Sequence, residues 1–168
     1  MPVQPLKFAP HALAAAILAV LSLYAVDARA EPGPFTSLAG YWRGDGTISM
    51  KDGSRERLRC RATYAVSQTG DSLNQTLLCA SDSYKFDVNS SVTEEDGAIS
   101  GSWTETTRNA SGSVSGQVNG SVIEVAVTGA GFTAGISIVT HSRTQSVSIK
   151  PQGGTDVVGV TVTLHRER

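Results

Sequence analysis

Chemically reactive side chains are scarce in this chain: two cysteines, two methionines and three histidines in 168 residues. No Cys-x-x-Cys or His-x-x-x-His spacing is present, which removes the usual zinc patterns. No Gly-x-Ser-x-Gly elbow marks a hydrolase nucleophile. Only His141 and His165 follow residue 30, and neither has a supporting motif, so both are expected to face solvent. The expectation is therefore a non-enzyme, with no catalytic residue, cofactor or metal assigned. Aromatic residues make up 6% of the chain and charged residues 17%. With 14 basic and 15 acidic residues, nothing in the overall charge favours nucleic acid or an anionic membrane. There is no heptad run, and no apolar run reaches the roughly 20 residues of a membrane-spanning helix.

What is present begins with a leader. A start containing Lys7 leads into an apolar run from Ala12 to Val26 and then the triplet Ala28-Arg29-Ala30. That order is the n-region, h-region and A-x-A site of a secretory signal peptide. Residues 1–30 are expected to be removed after Ala30, placing the protein in a periplasm or outside the cell. No cysteine follows the cut to carry a lipid. Cleavage takes two of the basic residues and one of the acidic ones, leaving a mature chain of net charge −2. In an oxidising compartment Cys60 and Cys79 are expected to form a disulfide.

From Tyr41 onward the chain is rich in Ser, Thr, Val and Gly, with turn residues every eight to twelve positions. Leu58, Cys60, Ala62, Tyr64 and Val66 alternate with Arg57, Arg59, Arg61 and Thr63, the period of a half-buried strand. A hairpin turning at Thr69-Gly70 sets Cys60 opposite Cys79, Val66 opposite Leu73, Tyr64 opposite Gln75 and Arg57 opposite Asp82. Directly opposed non-hydrogen-bonded residues lie about 4.5 Å apart, within disulfide reach. The arginines then form an outward face, read as solvated and edge-protecting.

Further along, Tyr84, Phe86 and Val88 alternate, and Asp96-Gly97 is a type I′ hairpin sequence leading into Ile99, Gly101 and Trp103. Asn119-Gly120 reads as a second such turn, pairing Val114 with Val125 and Gly116 with Ile123. Asp45-Gly46, and Arg43-Gly44-Asp45 with it, also read as turn residues. Four Asn-x-Ser/Thr sequons start at Asn74, Asn89, Asn109 and Asn119. Short hairpins without crossovers predict an all-β, antiparallel up-and-down barrel of about 8–10 strands over residues 41–168, since closure removes exposed edges. Residues 31–40, with Pro32 and Pro34, are expected to form an extended arm.

Gly40-Tyr41-Trp42 at the first strand and Arg166 on the last resemble the calycin superfamily, which includes lipocalins, avidins and a bacterial metalloprotease-inhibitor family. The resemblance implies that Gly40, Trp42 and Arg166 close one barrel end, with the arginine packed across the indole. It also implies two functions. The first is a non-enzymatic module binding a small apolar ligand, with Tyr64, Gln75, Phe86 and Trp103 lining the lumen. The second is a protein-interaction domain such as a protease inhibitor, acting through the arm Glu31–Ser37 or the barrel rim. Neither calls for nucleic acid or a membrane span, and the oligomeric state stays open.

Overall fold

The alternation read from the sequence folds into ten strands in a computed structural model that describes residues 32–129, 131–153 and 155–168. The leader, residues 1–30, lies outside the described residues. The strands are β1 (Gly40–Met50), β2 (Arg55–Val66), β3 (Ser72–Ala80), β4 (Lys85–Glu95), β5 (Ala98–Glu105), β6 (Ala110–Asn119), β7 (Val122–Gly129), β8 (Phe132–His141), β9 (Thr144–Gln152) and β10 (Val157–Arg166). Each pairs antiparallel with its sequence neighbours, and β1 pairs with β10, so the sheet closes into a barrel with no free edge. Among the described residues no helix is long and apolar enough to cross a membrane.

The cysteine hairpin has the expected register: Cys60 opposes Cys79, Val66 opposes Leu73, and Tyr64 opposes Gln75. The two cysteines are bridged, with Cα atoms 4.1 Å apart. Asp96 and Gly97 both adopt positive φ, the pattern of a type I′ turn, joining Glu95 to Ala98. The next predicted turn is displaced. Val114 faces Val127 and Gly116 faces Val125, because the loop is Gly120-Ser121 with Gly120 as the first central residue. Only Gly120 has positive φ there, as a type II′ turn requires, while Asn119 remains in the strand. The slip is two residues, so every side chain keeps its face.

Three other expectations are corrected. Asp45-Gly46 and Arg43-Gly44-Asp45 lie inside β1. A Cβ at Gly44 would run into the backbone of Thr163 on β10, and one at Gly112 into the backbone of Thr128 on β7. These glycines let neighbouring strands fold sharply against each other on opposite sides of the ring. Arg57 pairs with Asp45 at 3.2 Å rather than Asp82, because β3 ends at Ala80 and the ladder stops before Asp82.

The third concerns the segment expected as an extended arm. It makes a turn and a 3-10 helix (Thr36–Leu38) that docks on its own barrel. Gly33 N–H donates to Thr69 O at 2.8 Å and Phe35 N–H to Gly70 O at 3.0 Å. Phe35 and Leu38 are both buried. Burying two large apolar side chains, at about 1.5–3 kcal/mol each, outweighs the extended bias of the prolines.

Candidate functional site

The barrel has two unlike ends, and period two together with the ladder registers decides which residues reach each. At the end where β1 begins, Trp42 points inward and opposes Arg166 across the β1–β10 seam. The Arg166 guanidinium carbon sits 4.8 Å from the indole centroid, a cation–π contact. Arg166 Nη2 also donates to Ser37 O, and the indole Nε1 donates to Leu38 O at 2.7 Å. Tyr64 meets Trp42 edge-on at 6.3 Å, and its hydroxyl donates to Gln145 Oε1 at 2.7 Å. Gln145 is fully buried and passes the chain on to Thr140. Burial pushes the Tyr64 hydroxyl well above its ordinary pKa, and the Gln145 bond only partly opposes this. Gly40, where β1 starts, holds a positive φ of 116°, which turns the chain from the docked segment into the strand.

The other end carries a second aromatic group. Phe86 stacks with Tyr84 at 6.2 Å with nearly parallel planes, and the Arg108 guanidinium lies 5.0 Å from the Phe86 centroid. Trp103 meets Phe132 edge-on at 6.1 Å and donates from Nε1 to Thr128 O at 3.2 Å. The indole lies against Gly129, where an added Cβ would come within 2.7 Å of its ring. Phe132 is 37% exposed.

Here sequence reasoning missed Glu105, a buried carboxylate. Its Oε1 accepts from the Asp87 and Thr107 N–H groups at 3.1 and 3.2 Å, and from the Thr107 hydroxyl. Its Oε2 accepts from Arg108 N–H at 2.8 Å. Burial pushes the carboxyl up, but these donors outweigh it and hold the pKa at about 2. The run Glu105-Thr-Thr-Arg-Asn109, an acid opening a polar turn, was the available sign that this side chain caps the β5–β6 turn.

Between the ends the inner wall is aliphatic. Leu77, Val88, Val125, Ile138, Val147 and Ile149 point inward, yet each keeps part of its surface accessible. Gln75 sits in this wall, where its Oε1 accepts from Ser90 Oγ at 2.9 Å. Its Nε2 has no partner among the described residues and is not buried away from solvent. That nitrogen is an accessible donor on the inner face, between Tyr64 and Ser90.

The structure brings two of the four lumen candidates together. Tyr64 and Gln75 are directly opposed on β2 and β3, with Tyr64 turned into the plugged end, whereas Trp103 packs on Gly129 and Phe86 stands at the far rim. The disulfide Cys60–Cys79 braces the wall between β2 and β3. His141 and His165 are exposed at the plugged end, with His165 Nδ1 3.3 Å from Thr144 Oγ1. Two hollows lie on the outer surface. One of about 300 Å³ is bordered by Tyr41, Arg43, Arg61 and Leu78. The other, of about 530 Å³, is bordered by Thr47, Arg55, Arg57 and Thr163.

No family model matches the chain, and no curated protein matches its sequence. Solved structures do share its form. The crystal structure of Rv2717c from M. tuberculosis superposes with a TM-score of 0.64 at 16% identity, covering 79% of this chain and 94% of that one. The S-type phycobiliprotein lyase CPES from Guillardia theta superposes at 0.54 with 14% identity, covering 80% and 90%. At such identities the likeness is one of fold, and that fold is an all-β, closed, ten-stranded antiparallel barrel of calycin-like form.

Proposed function

We propose that this protein is an exported, non-enzymatic binding barrel that holds a small apolar or amphipathic molecule against its inner wall. The observation that carries this reading is the wall itself: inward aliphatic side chains that keep accessible surface in a barrel plugged at one end. A well-filled core leaves such side chains no accessible surface. The ligand enters at the Phe86 end and lies along Leu77, Val88 and Val147. A carbonyl or carboxylate on it accepts from Gln75 Nε2, which fixes orientation within an apolar site. Export rests on the leader-like residues 1–30. The competing reading as an inhibitor that acts through its arm, rather than its rim, needs Glu31–Ser37 free to enter a protease. Phe35 is buried and Gly33 and Phe35 are bonded to the β2–β3 turn, so the docked segment lends that reading no support.

The test is native mass spectrometry of protein purified from its own exported compartment, with Leu77→Trp prepared in parallel to fill the wall. The expected result is an added mass on the native protein that denaturation removes and that Leu77→Trp lacks. A bare native mass, or an adduct that Leu77→Trp retains, overturns the proposal.

A further inference from the structure

The outer face of β2 carries Arg55, Arg57, Arg59 and Arg61, all exposed. Four of the protein's basic residues thus stand in one file. At about 3.4 Å per residue, successive guanidinium groups leave the strand about 7 Å apart and the file spans about 20 Å. The sequence suggests edge protection as its purpose, but closure removes that role, since β2 is paired on both sides, with β1 and β3. The arrangement also carries a cost. Like charges lie side by side along the strand, and Arg61 stands directly opposite Arg43, a juxtaposition that destabilises a ladder. Of the four, only Arg57 has an ion-pair partner among the described residues, Asp45 at 3.2 Å, and that arginine is still 69% exposed. Arg43 is engaged by Glu167 at 3.1 Å. Arg55, Arg59 and Arg61 have no carboxylate partner among the described residues.

Both outer hollows lie along this file, one at each end. The hollow beside Arg61 is floored by Leu78 and walled by Tyr41, the most exposed large apolar side chain described, at 66%. Thr47, Thr63, Thr76 and Thr163 supply hydroxyls along the two hollows. On the β1 side the file is flanked by Asp45 and by Arg43, which Glu167 engages, and on the β3 side by neutral residues. Glu167 lines one hollow and Asp45 and Glu56 the other, so the unpaired charge runs along the strand and matches a chain rather than a plane. A bilayer would meet a basic patch broad in two directions. A single-stranded nucleic acid would want successive aromatic platforms for its bases, and this face has one.

We propose that the β2 arginine file binds an acidic polysaccharide lying along the strand. Its carboxylate or sulfate groups take bidentate hydrogen bonds from the guanidinium groups, its hydroxyls meet the threonines, and one sugar face rests on Tyr41. The surface is separate from the barrel interior and does not depend on what the interior holds.

The experiment is calorimetric titration of the mature protein with a heparin oligosaccharide and with polygalacturonate, at two salt concentrations. The variants are Arg59→Gln/Arg61→Gln and, as a control of equal charge change at β9, Arg143→Gln/Lys150→Gln. The altered side chains point to solvent, and thermal midpoints check that each variant folds. Arg59→Lys/Arg61→Lys keeps the charge but not the fork. The expected result is binding that weakens with salt and falls on the order of tenfold in Arg59→Gln/Arg61→Gln, with a smaller loss in the lysine variant. The control pair should change by less than about twofold, since distant exposed charges are screened. Several outcomes overturn the proposal: no binding of either polymer, equal weakening in the control pair, tighter binding of a single-stranded DNA of the same charge, or capture by anionic vesicles in preference to both polymers. A dimer by sedimentation that Arg59→Gln/Arg61→Gln dissociates overturns it as well, by assigning the file to a second copy of the chain.

Discussion

Both ends of this barrel are built from aromatic side chains and an arginine lying over a ring, yet the two groups are finished differently. At the plugged end every inward aromatic has a designated neighbour. Trp42 is covered by Arg166 and bonded to Leu38, Tyr64 is bonded to Gln145, and Phe35 is buried from below. At the far end Tyr84 stacks on Phe86 and Phe132 meets Trp103 edge-on, and Tyr84, Phe86 and Phe132 still reach solvent in part. The same residue types serve as a stopper in one place and as a lip in the other. What separates them is whether a second segment of chain comes to cover them, and among the described residues only 32–39 do so.

The comparison breaks most clearly at the stopper. Trp42→Ala removes the largest fully buried side chain and orphans the Leu38 carbonyl. It is expected to cost about 3–5 kcal/mol in urea unfolding, as for other buried tryptophans. A loss under about 1 kcal/mol would show that the plug, and not the indole, holds that end.

A smaller effect is expected at the lip from Glu105→Gln, about 1–3 kcal/mol, because the amide cannot accept from all the N–H groups that the carboxylate serves. This effect has a pH signature. The folded carboxyl is held at about 2, below its ordinary value of 4.5, so its contribution is fully present above that value. It fades as pH falls from about 4.5 through about 2. Thermal midpoints of wild type and Glu105→Gln should converge over that window, and a constant gap would contradict the assignment.

The smallest effect is expected from Phe132→Ala. Losing an exposed edge-to-face partner should cost about 0.5–1.5 kcal/mol and shift Trp103 fluorescence toward the wet side. If stability drops as far as in Trp42→Ala, the two ends are not different in kind.

How much of this was legible before the structure follows from what period two encodes. Alternation assigns a face, and so Leu58, Cys60, Tyr64 and Leu164 were recognisable as interior. Turn chemistry assigns a register, correctly at Thr69-Gly70 and two residues off at Asn119, where glycine took the first turn position. Neither assigns a height. Stepping across the ladders from Trp42 at the start of β1 leads through Ala62, Leu77 and Val88 to Glu105 at the end of β5. That stagger comes from all the registers together. Tyr64 and Gln75 oppose each other, but Phe86 and Trp103 share their inner face and not their level, which is why the four looked like one site in sequence and are spread along the barrel. The docked segment was hidden for another reason: its burial depends on a surface assembled only once the ring is made.

The pairing of β1 with β10 also sets a schedule. Trp42 is among the first residues of the barrel to be made and Arg166 among the last, so their contact has nearly the greatest sequence separation the domain allows. Long-range pairing of this kind slows folding and delays its completion. Until Thr161–Arg166 is released from the ribosome, β1 and β9 each lack a partner, and Trp42 lacks its cover. A chain that cannot fasten its seam early stays threadable for longer, and one cut short of its last strand would be left with two sticky margins in place of none.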